Sequence, residues 1–459
     1  MVFPTLQFIL FFTVVLALNG LVWGRPAWRK AMLIAASYTF YAAWDVRFLA
    51  LMAGVSLIAY LGGLGVSGHR IRTLSKIFSI GALLVTLGFF KYFDFFALTL
   101  QQMLQGTAFA RDLNWIVVIL PVGISFYVFQ AISYVMDVDR GHIAPRRNPA
   151  DIFLYISFFP QLVAGPIVRA AHFLPQIDAP EAPDARARAV AVVLILVGLF
   201  KKMVVANYLS VLLVDPAFGL PDGQNALTAF AATLGYAIQI YCDFSGYSDI
   251  AIGIALLLGY RFMRNFNQPY RAASLRDFWQ RWHISLSTWI RDYLYIPLGG
   301  NRGGVFSVIL TMTLAGLWHG AGWTFLIWGF LHGTGLAVER LFRATGRQLP
   351  RLLAIAVTLI FVCLLWIPFR AADFIDTVEM LRAFTRTTGY APTDLGTTVW
   401  VLIGIGLAMN WLPHKWLDTA TGALSRAPAI FQALILSLGV WLMFAAAQEG
   451  VAPFIYFQF

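Results

Sequence analysis

Apolar positions in this chain gather into long runs, with polar residues confined to short interruptions between them. Val2 to Trp23, Ile77 to Leu100, Ala189 to Val214 and Phe431 to Ala447 each reach or approach the about 20 residues that carry a helix across a bilayer. Inside lipid each backbone polar group must be satisfied internally, so such runs are helices or barrel strands. Barrel strands alternate apolar and polar positions, and these runs do not. The pattern predicts an all-α, polytopic membrane protein with roughly eleven transmembrane crossings plus re-entrant and interfacial helices.

Composition supports that class. Of 459 residues, 59% are hydrophobic and 12% charged, too few charges to cover a soluble protein of this size. The first run has no basic region ahead of it and no small-residue cleavage site, so it is expected to be a retained span. Cys242 and Cys363 sit in apolar sequence, with neither a disulfide framework nor zinc-ligand spacing, so no metal site is expected.

The net charge of +11 would suit nucleic acid, but its distribution argues otherwise. Basic residues recur in short loops at Arg25–Lys30, Arg70–Lys76, Arg140–Arg147, Arg186–Arg188, Arg261–Arg302 and Arg340–Arg351. That is the positive-inside pattern, which places these loops in the cytoplasm and membrane lipid, not nucleic acid, beside them. Leu100–Leu113 and Val214–Asn225 are poor in basic residues and go outside, as do both termini.

Some stretches do not read as plain spans. Asp151–Gly165 is apolar but short and interrupted by Pro160, which suits a segment that enters the membrane and turns back. Pro175–Asp184 reads as a polar loop. Val305–Val338 is too long for one span and carries Gly316, Gly320 and Gly322 at its middle, so a broken or hairpin helix pair is expected. Irregular backbone at membrane depth is tolerated only where protein or a watery cavity receives it, which makes this segment a site candidate. No internal repeat of the transporter kind is apparent.

Arg276–Tyr295 has a different character. On a helical wheel Phe278, Trp279, Trp282, Leu286, Trp289, Ile290 and Tyr293 share an arc of roughly 120°. Arg276, Gln280, Arg281 and Arg291 lie outside it, and His283 sits at its edge. This is the pattern of a helix lying in the membrane interface, either as a lipid anchor alone or with a further role.

Of the seven histidines, His69, His142, His172 and His414 lie in or beside loops and are expected to be solvated. His319 stands at the glycine-broken centre of an apolar segment, beside Trp318, and His332 follows thirteen residues later. An ionisable residue inside a membrane segment marks a functional site by default, and imidazole can take and return a proton near neutral pH. No G-x-S-x-G elbow is present, so a histidine would act directly on a bound hydroxyl or thioester. In Tyr241–Asp249, Asp243 and Asp249, with Ser245 between them, either pair with arginines and hold helices together or line a cavity. Leu298–Gly304 is glycine-rich and, with Arg302, could cradle a phosphate or simply form a turn.

The tracts Phe158–Ile167, Tyr241–Asp249, Asp277–Trp289, Arg291–Gly300, Leu317–Gly320 and Pro453–Phe459 resemble, in order, the motifs of the membrane-bound O-acyltransferase superfamily. The chain is most similar to the branch that modifies bacterial exopolysaccharides such as alginate. The resemblance implies one domain over 1–459 with a catalytic core at about 121–338, wrapped around a central funnel or tunnel. It also implies that His319 is the catalytic histidine and His283 a second active-site residue.

The function this implies is membrane O-acetyl transfer in the bacterial inner membrane. An acetyl group would leave a cytoplasmic thioester, acetyl-CoA, with no tightly bound cofactor. It would reach an exported polysaccharide through periplasmic acetyl-transferring partners. His319 would act as general base, and His283 would orient the donor or polarise its carbonyl. Arg276, Arg281, Arg291 and Arg302 would meet donor or lipid phosphates. The alternatives are D-alanyl transfer to teichoic acid, a transporter or flippase without bond chemistry, and a non-catalytic scaffold of a secretion complex.

Overall fold

Every regular element of the computed structural model is helical, among the described residues 3–68, 70–104, 117–163, 165–390 and 395–447. The expectations for His69, the His414 side chain and the Pro453–Phe459 motif fall outside what is described. Six helices are long and apolar enough to cross a membrane: 46–67, 72–103, 185–219, 226–257, 351–370 and 429–446. Leu6–Leu21 and Thr397–Ala408 are apolar but shorter.

The described chain divides into two units, Met1–Glu181 and Ala182–Phe459. The first contains α1 (Leu6–Leu21), α2 (Pro26–Ala42), α3 (Leu49–Ser67), α4 (Arg72–Met103), α5 (Ile124–Asp139), α6 (Pro149–Ser157), α7 (Phe159–Leu162) and α8 (Ala170–Asp178). Thr5 caps α1 by accepting from Phe8 N–H, and Pro26 opens α2, where its missing N–H costs nothing. The α3 helix packs on both α4 and α5. A Cβ at Gly63 would fall 2.5 Å from the Tyr134 ring, so the approach of α3 to α5 requires the glycine. The apolar stretch around Pro160 is broken, as its sequence suggests: α6 ends at Ser157 and the short α7 begins at Phe159. Asp151 at the start of α6 is ion-paired with Lys30, and Arg146 with Asp178 at 2.7 Å. The loop expected from Pro175 begins later, because α8 runs through Pro175 to Asp178.

In the second unit one helical run of 35 residues spans Ala185–Gly219. It comprises α9 (Ala185–Leu199), α10 (Asn207–Leu209) and α11 (Asp215–Gly219), joined by π-helical turns at Phe200–Ala206 and Ser210–Val214. Against it lies α12 (Ala226–Leu257), the core of the unit, buried over 83% of its most apolar stretch. Gly198 and Gly246 meet so closely that a Cβ on either would fall within 2.7 Å of the other's carbonyl oxygen. Beyond α12 come α13 (Leu275–Arg281) and α14 (Ile284–Ile290), then α15 (Gly304–His319) and α16 (Trp323–Ala344). The unit closes with α17 (Arg351–Arg370), α18 (Phe374–Ala383), α19 (Thr397–Ala408), α20 (His414–Ser425) and α21 (Ala429–Ala446).

The hairpin expected within Val305–Val338 is present as α15 and α16, separated at Gly320–Gly322. The single amphipathic helix expected over Arg276–Tyr295 is not. The chain breaks at Trp282–His283, where His283 takes φ 42° and ψ 56°, and ends in a π-helical turn at Arg291–Tyr295. Its aromatic face does not wait for lipid either: Phe278, Trp282, Leu286, Trp289 and Tyr293 are all buried in protein. Trp282 packs on Trp366 at 5.0 Å and on Phe266 at 5.1 Å between ring centroids. Trp279 and Ile290 of the same arc are half-buried, so protein covers most of this face.

Candidate functional site

The acidic tract of α12 is held by lysines rather than by the expected arginines. Lys202 Nζ lies 2.5 Å from Asp243, and Lys201 Nζ lies 2.7 Å from Asp249. Both lysines come from the π-helical turn after α9, whose wider winding places two consecutive cations against α12. Ser245, between the two acids, is buried. The tract thus joins two long helices through paired charges.

Past the end of α12, the segment around Asn265–Asn267 runs alongside the break between α13 and α14. Asn267 N–H donates to the Arg281 carbonyl at 2.9 Å, and Ile284 N–H donates to the Asn265 carbonyl at 2.8 Å. These two bonds clamp the residues on either side of His283 and hold its left-handed backbone, a conformation uncommon for a side chain of this size. The helices flanking the break are fixed separately. Ser274 Oγ accepts from Asp277 N–H at 3.0 Å at the start of α13, and the Glu339 carboxylate accepts from Leu275 N–H at 2.6 Å. His283 is fully buried, and burial pushes its imidazole down to about 3, so the ring is neutral at physiological pH.

His319 is the last residue of α15 and is 3% exposed. Its position depends on the next residue, since a Cβ at Gly320 would fall 2.1 Å from the Phe325 ring. His319 lies edge-on to Trp318, Trp328 and Phe369, with centroids 5.0, 5.1 and 5.3 Å away. Trp318 also meets His283, at 6.2 Å, so one indole touches both histidines. Trp328 touches His319 and His332, the latter at 4.7 Å. The structure therefore gathers His283, His319, His332 and Trp318 into one aromatic cluster, with Trp279 against His332 at 5.1 Å.

A cleft of about 490 Å³ opens beside this cluster. Trp279, Gln280, Ser287, Thr288, Thr311 and Met312 contribute to its wall, and Arg276, Arg291, Arg340 and Arg343 bring four guanidinium groups to it. Arg291 is paired with Asp292 at 2.7 Å and Arg343 with Glu339 at 3.4 Å. Arg281 and Arg302, expected with Arg276 and Arg291 to meet donor or lipid phosphates, do not line this cleft. Arg281 turns to Asp277 at 2.6 Å, and Arg302 is exposed in the turn Gly300–Gly303, outside the cleft lining. His142 and His172 are exposed, as expected of solvated side chains.

Several residues of the site carry no weight in the sequence reading. Arg340 and Arg343 were legible only as loop charge, although they fall one helical turn apart on the face that meets the cleft. The neighbouring lysines 201 and 202 had a usable signal, since two charges interrupt an apolar run. Asn265 and Trp328 had none, because their importance lies in what they touch.

The membrane-bound O-acyltransferase family model matches residues 73–372. The chain is 37% identical to a probable alginate O-acetylase, AlgI, of Azotobacter vinelandii, over 96% of this chain and 97% of that one. It is 38% identical to a probable alginate O-acetylase of Pseudomonas putida, over 94% and 95% of the two chains. Similarity to a peptidoglycan O-acetyltransferase of Helicobacter pylori reaches 33% identity over 95% and 92%.

Proposed function

Because the chain belongs to the membrane-bound O-acyltransferase family, we propose that this bacterial membrane acyltransferase moves acetyl groups from a cytoplasmic thioester to an exported polysaccharide. The donor in this reading is acetyl-CoA. The acceptor is an alginate-like polymer, reached through periplasmic acetyl-transferring partners. The protein would sit in the inner membrane with its basic loops in the cytoplasm and both termini outside.

The observation that carries the reading is the pairing of His319 and His283 on one Trp318 indole, beside a cleft lined by four arginines. An acetyl-CoA donor brings phosphates that guanidinium groups bind strongly. His319 takes the proton from the acceptor hydroxyl, and the hydroxyl oxygen attacks the thioester carbonyl. The C–S bond breaks, and the proton passes from the imidazolium to the departing thiolate, releasing a free thiol and an O-acetyl ester. His283 orients the reactants.

Mass spectrometry of surface polysaccharide tests the proposal in cells with the wild-type chain, without it, and with His319→Ala. O-acetyl groups are expected only with the wild type. Unchanged acetylation in either of the other two strains would overturn it.

A further inference from the structure

One side-chain oxygen governs the surroundings of His283. Asn265 Oδ1 lies 3.2 Å from His283 Nδ1, 3.2 Å from Ser285 N and 2.9 Å from Ser285 Oγ. A backbone N–H can only donate, so the atom of Asn265 facing Ser285 N must be the oxygen. The opposite orientation would set an NH₂ against an N–H. The other end of the amide agrees, since Asn265 Nδ2 donates to Ser248 Oγ at 3.1 Å on α12. With that oxygen fixed, His283 Nδ1 must carry the proton, because a bare Nδ1 would place two lone pairs against each other. The nearby Ser285 Oγ, 3.4 Å from Nδ1, has its better acceptor in Asn265.

We propose that Asn265 is a positioning residue that holds His283 in the Nδ1–H tautomer and so presents Nε2 to the reactants as a hydrogen-bond acceptor. The inference rests on the reading of His283 as an active-site residue, and it narrows that residue's role. A neutral imidazole protonated on Nδ1 has no proton on Nε2 with which to polarise a thioester carbonyl. It can receive a hydrogen bond from the acceptor hydroxyl instead. The same asparagine does the structural work that keeps the ring in place. Its carbonyl takes Ile284 N–H and its side chain takes Ser285 N–H, which caps α14 from a distant part of the sequence.

The test uses the full chain in detergent, with histidine labelled at its ring nitrogens and the His283 signal identified by its loss in His283→Gln. Nitrogen NMR is expected to find His283 in the Nδ1–H form in the wild type and shifted toward the Nε2–H form in Asn265→Ala. An Nε2–H signal in the wild type, or an unaltered tautomer in Asn265→Ala, overturns the inference whatever the protein's substrate. Asn265→Asp keeps the three accepting contacts to His283 Nδ1, Ser285 N and Ser285 Oγ and adds a charge, so it decides the matter if the alanine variant does not fold. Its carboxylate stabilises the imidazolium and should move the acidic limb of the pH–rate profile for acetyl-CoA thiol release to higher pH. Asn265→Ala should lower that rate by about 10- to 100-fold. Equal losses in both variants with an unmoved acidic limb mark a purely structural role and overturn the proposal. If the tautomer behaves as stated but no acetyl-CoA is cleaved, it is the proposed donor that fails.

Discussion

Lys202 Nζ sits 2.5 Å from Asp243 Oδ1 with the two side chains 1% and 5% exposed, an ion pair enclosed within the helices that form it. Removing one member leaves the other's charge where solvation is poor, at a typical cost of about 3–5 kcal/mol. Asp243→Asn should therefore lower the thermal stability of the detergent-solubilised protein sharply. Lys202→Met combined with Asp243→Leu should recover most of the loss, because a fitted apolar pair removes both charges together. The neighbouring pair of Lys201 and Asp249 is 11% and 21% exposed, so Asp249→Asn should cost less. Melting curves that rank the two variants the other way would contradict this account.

The cleft separates the arginines by position. Arg276 and Arg340 line it, whereas Arg302 does not. Replacing a guanidinium that binds a donor phosphate should raise the apparent KM for acetyl-CoA by about tenfold, equivalent to about 1.4 kcal/mol. Arg276→Gln and Arg340→Gln are expected to do so with kcat little changed, and Arg302→Gln to leave KM alone. A donor titration in detergent, where anionic lipid is absent, decides it. Equal KM values in all three variants would assign the cleft arginines to lipid instead.

The parts of this site that the sequence reveals are those whose cause is local. Gly316, Gly320 and Gly322 interrupt an apolar run, so the break between α15 and α16 and the standing of His319 beside it could be read directly. The break at His283 could not. The helical period runs unbroken through Trp282 and His283, and what stops the helix is hydrogen bonding from Asn265 and Asn267, with no turn residue to announce it. For the same reason the aromatic arc was legible as a face while its partner was not. A wheel shows that Trp282 must be covered, but not that Trp366 and Phe266 cover it in place of lipid.

Trp318 links His283 and His319, so the two should behave as one catalytic unit. Loss of a general base typically reduces turnover by about 10² to 10⁴, and His319→Ala should fall in that range. His283→Ala should cost about 1–3 kcal/mol in kcat/KM, the value of a lost hydrogen bond to a reacting group. Groups acting together are not additive, so the double variant should be little worse than His319→Ala. Single-turnover thiol release from acetyl-CoA measures all three. A fully multiplicative loss in the double variant would separate the two histidines into independent roles.

His332 poses the sharpest conflict between packing and chemistry. It is fully buried among Trp328, Trp279 and Phe361, and neither ring nitrogen meets a hydrogen-bond partner among the described residues. A buried polar group left without a partner costs about 1–3 kcal/mol, and a leucine of similar bulk would avoid that cost. His332→Leu should therefore raise the melting temperature of the purified protein. Trp279, which packs on this imidazole, also lines the arginine cleft, so the ring stands one side chain away from the proposed donor. A group that lowers stability at such a place is expected to serve the reaction, and His332→Leu should lose acetyl transfer while it gains stability. Gain on both counts, or stability gained with activity unchanged, would make His332 a packing residue of the aromatic cluster and leave the chemistry to His319 and His283.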